Sequence, residues 1–62
     1  MNDWRDAFPL NSRVRFIPRQ NMEMECRVIA RYGMGLLVIQ EEVPPFYTHC
    51  LHNADKIQRV SE

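Results

Sequence analysis

Glycine, cysteine and lysine are scarce in this 62-residue chain, with two of the first, two of the second and one of the third. The two glycines, Gly33 and Gly35, sit in a single turn, and no phosphate loop, dinucleotide fingerprint or nucleophile elbow is present. The two cysteines, Cys26 and Cys50, allow at most one internal bridge. The longest apolar run, from Met34 to Ile39, is far too short to span a bilayer. The opening Met1-Asn2-Asp3-Trp4-Arg5-Asp6 lacks the basic end and apolar run of a secretory leader. A cytoplasmic protein with reduced thiols and no membrane contact is therefore expected. There are no repeats, no low-complexity segments and no linker. Excess charge is missing as well: eight basic and eight acidic residues cancel, which argues against coating nucleic acid by bulk electrostatics. A chain this short buries only about 60% of its unfolded surface, so oligomerisation is the expected extra source of stability.

What is present is alternation. In residues 23–32, Met24, Cys26, Val28, Ala30 and Tyr32 share one parity, while Glu23, Glu25, Arg27 and Arg31 share the other. Ile29 is the only exception. Successive strand side chains point to opposite faces, so the pattern specifies a half-buried strand with the first set inward.

The other elements follow from similar cues. Residues 1–11 form a lead-in interrupted by Pro9, with Asn2 or Asp3 available to cap a single turn through Ala7; an irregular segment with Trp4 and Phe8 covering an open end is expected. The domain proper is 12–62. Ser12 to Ile17 is the first strand, ended by Pro18. Glu23 to Tyr32 is the second, and Gly33-Met34-Gly35 the turn. Leu36 to Gln40 is apolar on both parities, which implies burial on both faces or a second face covered by something else. Phe46 to Leu51 is the fourth strand. Asn53 to Lys56 reads as a capped 3-10 turn, and Ile57 to Val60 as the fifth strand.

Five short strands, a tight central hairpin and one 3-10 turn before the last strand make an all-β chain that resembles an SH3-like small barrel, in outline like Tudor, KOW and chromo-barrel modules. Phe8, Arg13-Val14-Arg15, the strand ending at Tyr32, Gly35 and Gln58-Arg59-Val60 fall where type II dihydrofolate reductases of plasmids have comparable residues. That resemblance, covering 8–60, implies subunits assembled around a shared pore. The family's Val-Gln-Ile-Tyr strand, which holds folate and nicotinamide, is absent; Thr48-His49-Cys50-Leu51 stands in that region. The resemblance therefore speaks to fold rather than activity.

No catalytic constellation emerges. His49-Cys50-Leu51-His52 with Cys26 offers metal-ligand chemistry, but His49 and Cys50 point to opposite strand faces and no Cys-x-x-Cys is present. Both cysteines share parity with apolar neighbours and read as small core residues. Glu41 and Glu42 diverge along the chain and read as a solvated loop edge. No metal, cofactor or catalytic residue is expected.

The outer face carries the functional expectation. Ile17 and Ile29 interrupt the charged parity, and the third strand adds Leu36 and Val38 or Leu37 and Ile39, depending on turn length. An apolar stripe rimmed by Arg13, Arg27 and Arg31, with Met34 at the turn tip, would mark an interface unless Trp4 and Phe8 fold over it. The arginines otherwise pair with Glu23, Glu25, Glu41 and Glu42. The first reading is a non-catalytic interaction module that binds a protein partner or forms a homo-oligomer. The alternatives are a nucleic-acid-binding barrel using Arg15, Arg19 and Tyr47 with the other arginines, and an oligomeric reductase with a pore from the fourth strand. A phage or plasmid accessory protein fits a small neutral chain of this kind.

Overall fold

The computed structural model describes residues 3–60. The elements in chain order are a 3-10 helix η1 (Trp4–Ala7) and strands β1 (Arg13–Arg19), β2 (Met22–Tyr32), β3 (Leu36–Glu41), β4 (Thr48–Leu51) and β5 (Ile57–Arg59). All five strands are antiparallel in one sheet of order β4-β3-β2-β1-β5. The all-β expectation and the strand count hold.

Alternation explains the first hairpin. Val14 and Phe16 on β1 face Cys26 and Met24 on β2, and all four side chains turn to one side of the sheet. Leu37 and Ile39 join them from β3, Leu51 from β4 and Ile57 from β5, with Phe8 contributed by the N-terminal segment. Each fully buried aliphatic side chain here, such as Val28 or Leu37, contributes about 1.5–3 kcal/mol through removal of apolar surface from water. Leu51 and Ile57 lie on opposite edge strands, which a flat sheet would hold roughly 19 Å apart at four strand spacings. Sharing one core requires the sheet to coil strongly around it.

The coiling stops short of closure. β4 and β5 do not pair with each other, so the sheet is not closed into a barrel. These edge strands are four and three residues long, and residues 52–56 connect them.

Several local expectations shift. The 3-10 turn predicted at Asn53–Lys56 is a run of bends and a turn; the 3-10 helix lies at Trp4–Ala7. Asn53 does act as a local acceptor, its Oδ1 taking the Asp55 N–H at 3.0 Å, but that bond only redirects the chain. Asp3 caps η1 by accepting from the Arg5 N–H; Asn2, the other candidate cap, lies outside the described residues. Pro18 does not end β1. The ladder slips between Phe16 and Arg19, and Pro18 sits within that irregularity, where no N–H is needed. β4 begins at Thr48 rather than Phe46, because Phe46 has φ 61° and leaves the extended region.

η1 is fastened by a residue that hydrophobic patterning does not single out. The Arg5 guanidinium donates to the carbonyls of Tyr32 (2.5 Å) and Leu36 (3.0 Å), on either side of the β2–β3 turn. Its remaining N–H groups hold the Asp3 carboxylate, which the guanidinium in turn keeps well below the usual carboxylate range. Trp4 then packs edge-on against Phe8, ring centroids 6.1 Å apart. Arg5→Ala is expected to release η1 while the sheet still melts cooperatively. The check is a red shift of Trp4 emission with faster amide exchange at residues 33–36; an unchanged Trp4 spectrum would show that the aromatic contact alone holds the segment.

Candidate functional site

Only one face of the sheet is filled by the protein's own core. On β2 the division between faces depends on a bulge. Val28 stands opposite Ile39, and Ala30 opposite Val38, so β2 advances two residues while β3 advances one. Ile29 is the extra residue. Beyond it the parity of β2 inverts, because residues directly opposite share a face.

Ala30 and Tyr32 therefore leave the core side where alternation had placed them. Two uncharged rows cross the outer face: Ala30–Val38–Cys50 over β2, β3 and β4, and Tyr32–Leu36 over β2 and β3. Val38 is buried even on this outer side, which agrees with the expectation that β3 is apolar on both parities for a reason. Cys50 is exposed here, a correction to its reading as a core residue; Cys26 is buried, and both thiols are free. The three-residue turn Gly33-Met34-Gly35 selects Leu36 and Val38 as the outward pair. Met34 at its tip is 97% exposed with φ 67°, and Ile29 is 42% exposed beside the rows.

The expected stripe is not continuous. The register places Phe16 against Met24 and Arg13 against Arg27, so Ile17 and Ile29 lie at opposite ends of the β1–β2 hairpin. Arg31, opposite Leu37, is turned by the bulge to the inner side, where it meets Asp6 at 3.2 Å and Asp3 at 3.5 Å. Trp4 and Phe8 belong to the inner core and do not cover the outer rows.

The remaining outer face is a balanced charge lattice. Arg13 bridges Glu42 (3.3 Å) and Glu25 (3.6 Å), and Arg15 bridges Glu23 and Glu25 at 3.7 Å. Arg27 reaches Glu42 (3.3 Å) and donates to the Asn11 carbonyl (2.6 Å). Such half-exposed pairs are each worth about 0–1 kcal/mol, so they arrange the surface more than they stabilise it. Arg19 makes no ion pair among the described residues. Tyr47 is exposed on the β3–β4 loop, and Arg15 and Arg19 lie on β1.

Glu41 is no solvated loop residue. It is buried on the inner face, and its Oε2 lies 2.7 Å from His49 Nε2. The imidazole leans on the Phe16 ring at 4.6 Å between centroids. Cys26, opposite Glu41 in the ladder, has its thiol pushed up to about 11 by burial first, then by the charges of Glu41, Glu25 and Glu42. A thiol held protonated in this way is a poor nucleophile. Among the described residues no three histidine, cysteine, aspartate or glutamate side chains converge as a metal-holding group. No helix among the described residues is long and apolar enough to cross a membrane.

Sequence reasoning passed over Arg5 and placed Tyr32 and Cys50 on the wrong side. For Tyr32 the signal is Ile29 itself, since an apolar residue breaking a clean alternation marks a bulge as readily as an exposed contact; the face of Cys50 follows from its partner Val38 on β3. No protein-family model, curated protein or solved structure matches this chain.

Proposed function

We propose that the protein is a non-catalytic interaction module whose outer apolar rows pack against a second copy of the chain. The observation that carries this reading is the uncharged surface of Ala30, Tyr32, Leu36 and Cys50 around the buried Val38, bordered by Ile29 and tipped by Met34. Next to it lies a polar row, Thr48–Gln40–Arg27, that leads into the ion-paired half. An apolar centre inside a polar rim is the usual anatomy of an interface.

A second copy is favoured by charge. The lattice sets Arg13, Arg15 and Arg27 against Glu23, Glu25 and Glu42, three of each sign, so like faces meet without net repulsion. A two-fold arrangement would use the same patch on both subunits. A standard interface of roughly 800 Å² per partner is about a sixth of the 4578 Å² surface, so it would extend from the rows onto the charged rim. A chain this small gains most from such packing.

Ile29→Glu tests the reading. The side chain is already largely in water, so the variant is expected to melt within a few degrees of the parent, yet sediment as a monomer where the parent sediments as a dimer. A parent that stays monomeric at high micromolar concentration overturns self-association and leaves the face to a different protein.

A further inference from the structure

We infer that the free edge of β4 pairs antiparallel with β4 of a second copy of the chain. This contact uses backbone groups at the rim of the sheet, is separate from the packing of the outer rows, and is tested without it. β4 pairs only with β3. The Glu41 N–H donates to the Tyr47 carbonyl at 2.8 Å, so these two residues form a bonded pair. Bonded and unbonded pairs alternate along an antiparallel ladder. With Ile39 opposite His49 and Leu37 opposite Leu51, the bonds to β3 fall on Tyr47, His49 and Leu51. The N–H and C=O groups of Thr48 and Cys50 then point away from β3. Both residues are exposed, and no turn or loop among the described residues bonds to their backbone. The His49 ring meets Phe16 on the inner face, which leaves this rim open.

The edge carries none of the usual guards. Edge strands resist pairing through charge, proline or a bulge. Thr48–Leu51 holds no lysine, arginine, carboxylate or proline, and its ladder with β3 runs without irregularity. The other edge strand, β5, follows Lys56 directly and carries Arg59 among its three residues, so it has a guard that β4 lacks.

The same features select the occupant. A strand turned on itself about a two-fold axis meets its own bonding groups in reverse order. Thr48 then bonds Cys50 of the second copy, and Cys50 bonds its Thr48, which completes the open groups of the edge. A one-residue slip sets these groups against side-on ones and forms no ladder. Side chains fit this register as well. Exposed Tyr47 lies across from Leu51 of the second copy, an aromatic–aliphatic pair of the kind that stabilises neighbouring strands. His49 stands opposite its counterpart, each imidazole already engaged by its own Glu41 at 2.7 Å. An acidic or basic peptide finds no lysine, arginine or carboxylate on this strand to meet it, whereas an identical strand needs none.

Backbone bonds along so short an edge are set against the cost of association, so the contact is expected in the millimolar range. The test uses the full chain carrying Ile29→Glu, which removes the outer-row contact. Amide spectra are recorded while adding a synthetic peptide of residues Phe46 to His52 under reducing conditions. Shifts are expected at Thr48 to Leu51, with slowed exchange of the Thr48 and Cys50 N–H groups. The same peptide N-methylated at its Thr48 and Cys50 positions should bind about tenfold more weakly, since it lacks the donors. In the chain, Thr48→Pro removes an N–H that β3 does not use, so the melt should stay within a few degrees while the shifts vanish. Thr48→Lys puts a guard on the edge and should weaken binding, while Thr48→Val should keep it. Four results would overturn the inference: no shift at residues 48–51 at millimolar peptide, equal binding of the methylated peptide, shifts centred on β5 instead, or tighter binding of a peptide of alternating glutamate and valine. Failure of the outer-row reading shows differently, as a parent chain that stays monomeric at high micromolar concentration while these shifts persist.

Discussion

Ile39→Ala is expected to leave much of the chain unfolded at 25 °C. Ile39 is fully buried at the centre of β3, opposite Val28 on one side and His49 on the other. Truncating a side chain in such a site removes its transfer energy and leaves a cavity, costing about 2–5 kcal/mol. At roughly 0.05–0.15 kcal/mol per residue, a chain of this length has only about 3–9 kcal/mol in total. The loss is therefore comparable with the whole stability. Urea titration followed by Trp4 emission should show the midpoint falling by half or more, with an unchanged slope. Ile29→Ala on the same scale should move it little. If the two substitutions cost the same, the assignment of faces around the bulge is wrong.

Glu41→Ala is expected to cost about 1–3 kcal/mol, the penalty for removing one partner of a buried hydrogen bond. The imidazole of His49 would stay pressed on Phe16 without its acceptor. Glu41→Gln should restore most of that loss, because an amide oxygen still accepts from Nε2. Equal damage from both variants would mean that the carboxylate charge, rather than the bond, matters. Cys26 supplies an independent readout. Its thiol ionises near 9.0 when unperturbed and near 11 in the folded protein. The folded chain therefore holds the proton longer, and the stability this contributes is lost as pH rises from about 9 towards 11. Both Glu41 variants remove a charge that raises the thiol, so both should flatten that alkaline decline. Urea midpoints at pH 8 and pH 10.5 measure it.

The outer face was harder to read from the chain than the core. Ile29 is an anomaly in the pattern, but alternation alone cannot tell an exposed isoleucine from a bulge residue. The two differ only in what stands opposite, and that is a property of β3. Tyr32 and Cys50 were misplaced for the same reason, since a residue's face is defined by its cross-strand partner. Arg5 left no sequence signal because its partners are backbone carbonyls of Tyr32 and Leu36, which any residue provides.

Local chemistry determined the all-β class, the five strands, the Gly33–Gly35 turn and the inward set of Met24, Cys26 and Val28, because strand geometry gives side chains a period of two wherever the chain is extended. Tertiary packing alone decided where that period breaks, which arginines find carboxylates among the described residues, and that the sheet coils without closing. Those outcomes depend on register between segments far apart in sequence, and no single stretch of residues encodes what will lie across from it.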